Sequence, residues 1–134
     1  MKGYLLDTNV ALLATSRSAT LPEETRHAIK QGPNYLSVVS YWEVVLKSMK
    51  GKLTVGDPRS WWTETLLELS ATSLPLRSEH IGEVCHLPPI HQDPFDRVLI
   101  AQATVEQVTF LTTDDHIPLY AGDRFRVIHG PVTA

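Results

Sequence analysis

The most constraining feature of this chain is an alternation. Short β-forming apolar runs are separated by stretches with helical spacing. Gly3-Tyr4-Leu5-Leu6, Tyr35-Leu36-Ser37-Val38-Val39, Thr72-Ser73-Leu74-Pro75-Leu76, Val108-Thr109-Phe110-Leu111-Thr112 and Phe125-Arg126-Val127-Ile128 read as strands. Helical patterns lie between them, over residues 8–14, 22–31, 40–49, 58–69, 78–85 and 93–107. Gly32-Pro33 and Gly51 supply stops, and Asp57-Pro58 and Asp93-Pro94 supply starts. A helix between two strands carries the chain back to the starting edge, so the strands it joins run parallel, and a parallel sheet has to be covered on both faces. The expected fold is α/β: three α/β/α layers around a central, mainly parallel sheet of four to five strands, formed as one unit over residues 1–134. Right-handed crossovers restrict its topology.

Composition matters where it bounds partners. The chain has 134 residues, 43% of them apolar, enough for a core without cross-links. Its one cysteine, Cys85, excludes an intramolecular disulfide and suits a reducing compartment. In the helical stretch Ile81-Gly82-Glu83-Val84-Cys85 it reads as a small buried apolar side chain. Asp7 interrupts the N-terminal apolar run too early for a signal peptide, and no run reaches membrane-spanning length. A cytoplasmic protein without a membrane partner is expected. The formal net charge is −3, so the chain lacks the global basic footprint of a protein that holds nucleic acid by charge alone. A polyanionic substrate would need a local inversion of sign, from a metal ion or a short basic patch. Lys47-Ser48-Met49-Lys50-Gly51-Lys52 is such a patch, and it is equally a solvated helix end complementing the dipole.

The acids supply the chemistry. In a strand-helix-strand unit, helix N-termini and strand C-termini share one sheet edge, where α/β folds bind ligands. Asp7 ends the first strand, Glu43 falls in the first turn of the helix after the second, Asp96 in the first turn of the helix before the fourth, and Asp114 follows the fourth. Each has an ordinary structural role as well. Asp7 can cap the helix at Thr8. Ser40 and Glu43 match a capping box, and Glu43 can pair with Lys47 four residues on. Asp93 can cap and Asp96 can complement a helix dipole. Asp114 can be a turn residue. Taken together, converging carboxylates repel and resist ionisation unless a cation joins them. Oxygen-only ligands suit Mg2+ and Mn2+, and such ions polarise phosphates and activate water.

Other chemistries find little support. The six histidines and Cys85 show no zinc-site spacing. No phosphate-binding glycine loop and no Gly-x-Ser-x-Gly elbow is present. His91 and His116 flank the expected site and can equally be surface residues.

These residues resemble a family. Leu5-Leu6-Asp7-Thr8-Asn9-Val10 is similar to the opening of PIN domains. Ser37 to Lys47, with Gly51-Lys52-Leu53, resembles their second block. His91-Gln92-Asp93-Pro94-Phe95-Asp96-Arg97-Val98-Leu99-Ile100-Ala101-Gln102-Ala103 resembles the third, and Leu111-Thr112-Thr113-Asp114 the fourth. The likeness is greatest to VapC-like toxins of bacterial toxin–antitoxin systems. It implies Mg2+- or Mn2+-dependent endoribonuclease activity leaving a 5′-phosphate and a 3′-hydroxyl, with RNA as substrate, a cognate antitoxin as partner, and a homodimer. Carried over residue by residue, Asp7 and Asp96 are expected metal ligands, and Glu43 and Asp114 complete the site. Thr8, Asn9, Lys47, Arg97, Thr112 and His116 are candidate substrate contacts, and Asp93 is expected to cap. The second acid at Asp115 leaves open which aspartate faces the metal.

Two further readings compete with that one. An aspartyl-nucleophile phosphatase would use Asp7, but such enzymes usually carry a second acid two residues on, where Asn9 stands. A non-cleaving RNA- or protein-binding module is the other, and it has no need of four acids.

Overall fold

The computed structural model describes residues 2–90 and 93–133. Their elements follow one another as β1 (Tyr4–Leu6), α1 (Thr8–Ser16), a 3-10 turn (Ser18–Thr20), α2 (Glu23–Gln31), β2 (Asn34–Ser37), α3 (Val38–Met49), α4 (Pro58–Glu68), β3 (Ala71–Leu74), α5 (Ser78–Val84), α6 (Pro94–Glu106), β4 (Thr109–Thr112), a second 3-10 turn (Ile117–Tyr120) and β5 (Val127–His129). The five strands form one sheet in the order β3-β2-β1-β4-β5, every pair parallel. The expected α/β fold is therefore the observed one.

The first strand lies at the centre of the sheet, with Leu5 opposite both Tyr35 and Phe110. Alternation along it divides the core. Leu5 and Phe110 pack on one face with Leu99, Ile100 and Ile117. Leu6, Leu36 and Leu111 pack on the other with Val10, Ala28 and Trp61. These side chains are buried almost without exception, and each contributes on the order of 1.5–3 kcal/mol by leaving water. Gly3 makes the central position possible. Its φ is +130°, and a Cβ there would stand 2.7 Å from the Pro33 carbonyl oxygen, the acceptor for the Tyr4 N–H at 2.9 Å.

Four local expectations need correction. The second strand ends at Ser37, and α3 takes in Val38 and Val39 despite their β-branching. Ser37 caps α3 instead of Ser40, accepting the Val39 N–H at 3.0 Å, so the Ser40–Glu43 capping box does not form. Glu43 consequently sits in the second turn of α3. The third strand stops at Leu74, because Pro75 has no N–H to continue the ladder. Cys85 is exposed, because α5 ends at Val84 and the buried position of that helix belongs to His80. The adjacent tryptophans divide as two helix faces require. Trp61 enters the core, while Trp62 stacks on Tyr41 of α3, with ring centroids 4.8 Å apart. Among the described residues no helix is long and apolar enough to cross a membrane.

Candidate active site

The edge of the sheet is fixed by what each strand does at its C-terminal end. Leu6 lies opposite Leu111, so the residues just beyond them meet. Asp7 leaves β1 in an extended conformation and caps α1, its Oδ1 accepting the Thr8 N–H at 2.8 Å. Its Oδ2 accepts the Thr112 hydroxyl at 2.7 Å. The same hydroxyl oxygen accepts the Asp114 N–H at 3.0 Å. One threonine thus ties the first and fourth acids of the edge together.

Glu43 and Asp96 reach the edge from their helices. Both are almost fully buried, at 5% and 8% exposure, as is Asp7 at 6%. Asp96 is in the first turn of α6, which Asp93 caps by accepting the Phe95 and Asp96 N–H groups at 2.9 and 3.2 Å. Glu43 Oε2 pairs with the Lys47 ammonium at 2.9 Å, while Glu43 Oε1 is buried with no hydrogen-bond partner among the described residues. Asp7, Glu43, Asp93, Asp96 and Asp114 line one cavity of about 340 Å³, together with Thr8, Asn9, Leu12, Lys47 and Thr113.

Electrostatics follow from this burial. The Asp7 carboxyl is pushed up to about 6 from an ordinary value of 3.8. Desolvation is the largest cause, opposed by the Thr112 hydrogen bond, and the charges of Glu43 and Asp114 push the same way as burial. The Lys47 ammonium is held above the usual lysine range, chiefly by its hydrogen bond to Glu43, with Asp93 and Asp96 adding to the effect.

The expected site residues separate into three groups. Asp7, Glu43, Asp96, Asp114, Thr8, Asn9 and Lys47 line the cavity. Thr112 lies behind it and holds two of the acids. Arg97 does not line it. Its guanidinium donates to the Leu87 and Pro88 carbonyls and to the Tyr120 hydroxyl, bracing the loop before α6. His116 is beside Asp114 at the outer rim, donating its N–H to Asp114 Oδ1 at 2.8 Å. Asp115 is 86% exposed and pairs with His129, so Asp114 is the aspartate on the cavity side. His91 lies outside the described residues.

Three contributors were given no place in the site from the sequence. Asp93 lines the cavity as well as capping α6. Thr113 accepts the Asn9 amide at 3.0 Å, and Ser40 accepts the Thr8 hydroxyl at 2.8 Å. Asp93 carried a visible signal, a carboxylate three residues before Asp96. Thr113 and Ser40 carried none, because the pairs they make span 104 and 32 residues.

The cavity can be tested for a cation. Its donors are carboxylate oxygens, the set that hard divalent ions prefer. One of those oxygens, Glu43 Oε1, lacks a partner among the described residues, and burial makes Asp7 resist ionisation. In the present side-chain positions no group of three or more His, Cys, Asp or Glu residues among those described forms a ready cage. Mg2+ commonly keeps several waters and takes only one or two carboxylates, so the donor set fits that kind of ion.

Comparison with known proteins agrees with this architecture. The sequence model of one family, the PIN domain, matches residues 4–123. None of the curated proteins compared matches the chain. Among solved structures, VapBC2 from Rickettsia felis, bound to a DNA fragment from their promoter, is similar over 96% of this chain and 98% of its own, at 13% identity and a TM-score of 0.70. DNA-bound VapBC from Salmonella typhimurium matches over the same shares at 14% identity and a TM-score of 0.69. VapBC-5 from Mycobacterium tuberculosis, a member of the VapBC family of toxin-antitoxin systems, is 19% identical over 96% of this chain and 98% of its own, with a TM-score of 0.60.

Proposed function

The chain belongs to the PIN domain family, and from that premise we propose that it is a Mg2+- or Mn2+-dependent endoribonuclease, the toxin of a toxin–antitoxin pair. The observation that carries the proposal is the acid-lined cavity, in which Asp7, Glu43, Asp96 and Asp114 share one wall system and Glu43 Oε1 lacks a partner among the described residues. A cation-free cluster of this kind has no evident structural benefit, since buried like charges destabilise one another.

Asp7 and Asp96 are the proposed principal ligands, with Glu43 and Asp114 completing the set. A divalent cation held there offsets their repulsion and makes a phosphodiester more susceptible to attack by water. The chain supplies the rest. The Thr8 N–H and the Thr112 hydroxyl fix both oxygens of Asp7 and so fix its orientation. Lys47 brings a positive charge to the cavity wall of a net acidic protein, where a phosphate backbone has to approach. Asn9, oriented by Thr113, offers a neutral polar contact at the same wall.

The test uses purified protein, free of any partner, incubated with structured and single-stranded RNAs. We expect Mn2+-dependent cleavage that EDTA stops and that leaves 5′-phosphate ends. Asp7→Asn is expected to lose on the order of a hundredfold or more of the rate. Equal cleavage in EDTA overturns the metal requirement, and no cleavage of any RNA class favours a module that binds without cutting. The family likeness also motivates an antitoxin partner and a homodimer; affinity co-purification from the native host and light scattering on the isolated chain test these separately.

A further inference from the structure

Lys47 has two charge environments within reach. Its ammonium is 2.9 Å from Glu43 Oε2, and its side chain is half exposed at the wall of the acidic cavity. It is the one lysine or arginine lining that cavity among the described residues, facing five carboxylates. Glu43, by contrast, is buried, and its other oxygen has no hydrogen-bond partner among the described residues. A buried carboxylate with a single partner depends strongly on that partner, because an unpaired charge in a low-dielectric setting is costly.

We propose that Lys47 is the resident counter-cation of the site: it occupies Glu43 until a divalent cation displaces it, and it is then free to meet a phosphate of the substrate. The inference rests on the proposed metal-dependent function. Its physical basis is competition between a +1 and a +2 charge for one carboxylate. A compact, flexible, strongly hydrated ammonium leaves such a pair at little cost, whereas a rigid guanidinium fork holds it. The side chain of Lys47 is half exposed at the cavity wall, which leaves its head group room to swing into the cavity.

Loss of the ammonium then acts with opposite signs on two ligands, which a merely structural role does not produce. Mn2+ titrations by calorimetry on wild type, Lys47→Met and Lys47→Arg test the first. Lys47→Met is expected to bind Mn2+ about tenfold tighter, because a like charge and an internal competitor are gone. Lys47→Arg retains the cation and is expected to show no gain. RNA cleavage at saturating Mn2+ tests the second: Lys47→Met is expected to raise KM about tenfold with a smaller change in kcat. Acetic anhydride labelling of the wild-type protein, read by mass spectrometry, adds a measurement independent of turnover. Labelling of Lys47 is expected to accelerate severalfold when Mn2+ is added. Wild type that binds no Mn2+ overturns the metal-dependent reading itself. Wild type that binds Mn2+, with Lys47→Met no tighter or Lys47 labelling unchanged, overturns only the role given to Lys47. Circular dichroism confirms that each variant is folded before it is compared.

Discussion

Asp7 shows how much a single side chain can set. Its carboxyl lies at about 6 in the folded protein against an ordinary 3.8, so the folded state holds the proton more tightly than the unfolded chain does. Its contribution therefore favours the fold below about pH 4 and is lost as pH rises towards 6. Above that, the ionised group costs roughly 3 kcal/mol, from a shift of about two units at 1.36 kcal/mol each. Asp7→Asn removes this cost but weakens one charge-assisted hydrogen bond. Urea unfolding of the metal-free variant is expected to show a gain of about 1–3 kcal/mol at pH 8 and little or none at pH 4. A gain that is the same at both pH values would mean that the group does not titrate in this window. The carboxylate that serves the site is thus a liability to the empty fold, a common trade at functional positions.

At the scale of the element, α3 is the piece that the sequence described least well. Its cap, Ser37, is fully buried, and the hydroxyl both accepts the Val39 N–H and donates to Gln102 Oε1 at 2.6 Å. Gln102 in turn donates to the Pro75 carbonyl, and its amide lies 3.4 Å from His80, whose other ring nitrogen contacts Glu106. Ser37→Ala removes a cap worth about 0.5–2 kcal/mol. It also strands a buried acceptor worth about 1–3 kcal/mol. A loss of about 2–4 kcal/mol in chemical denaturation is expected, with no change in the Asp7–Thr112 pair. Local pattern was enough to locate the five strands and six α-helices among the described residues, though not the two 3-10 turns, because strand alternation, Pro-led starts and glycine stops act over a few residues. It placed Asp7, Glu43, Asp96 and Asp114 at one edge for the same reason. It misassigned Val38 and Val39, whose β-branching argues for a strand; Ser37 caps the helix through the Val39 N–H and is itself held by Gln102, 65 residues away. Spacing from the strand favoured Asp114 over Asp115 without deciding between them, and Asp115 proves to pair with His129 in the last strand. Arg97 shows the same limit. As a charge in the helix of the third block it suggested a phosphate contact, but loop carbonyls claim it.

For the molecule as a whole, stability and site are coupled through charge. The net charge is −3, and five carboxylates converge on one cavity. Any cation that binds the folded state alone adds stability by mass action, about 2.7 kcal/mol at a hundred times its dissociation constant. Thermal melts are expected to shift upward with Mn2+ and to return with EDTA, and Asp96→Asn is expected to blunt the shift. A melt that ignores Mn2+ at every concentration tested would count against a cation in the cavity.

The bond between Thr112 and Asp7 joins residues 105 apart in the chain. The central strand is therefore made first and waits, one edge unpaired, until β4 arrives. Synthesis imposes an order on this edge: the acids at 7 and 43 are made before those at 96 and 114. The acid-lined edge is therefore complete only once the fourth strand has paired beside the first.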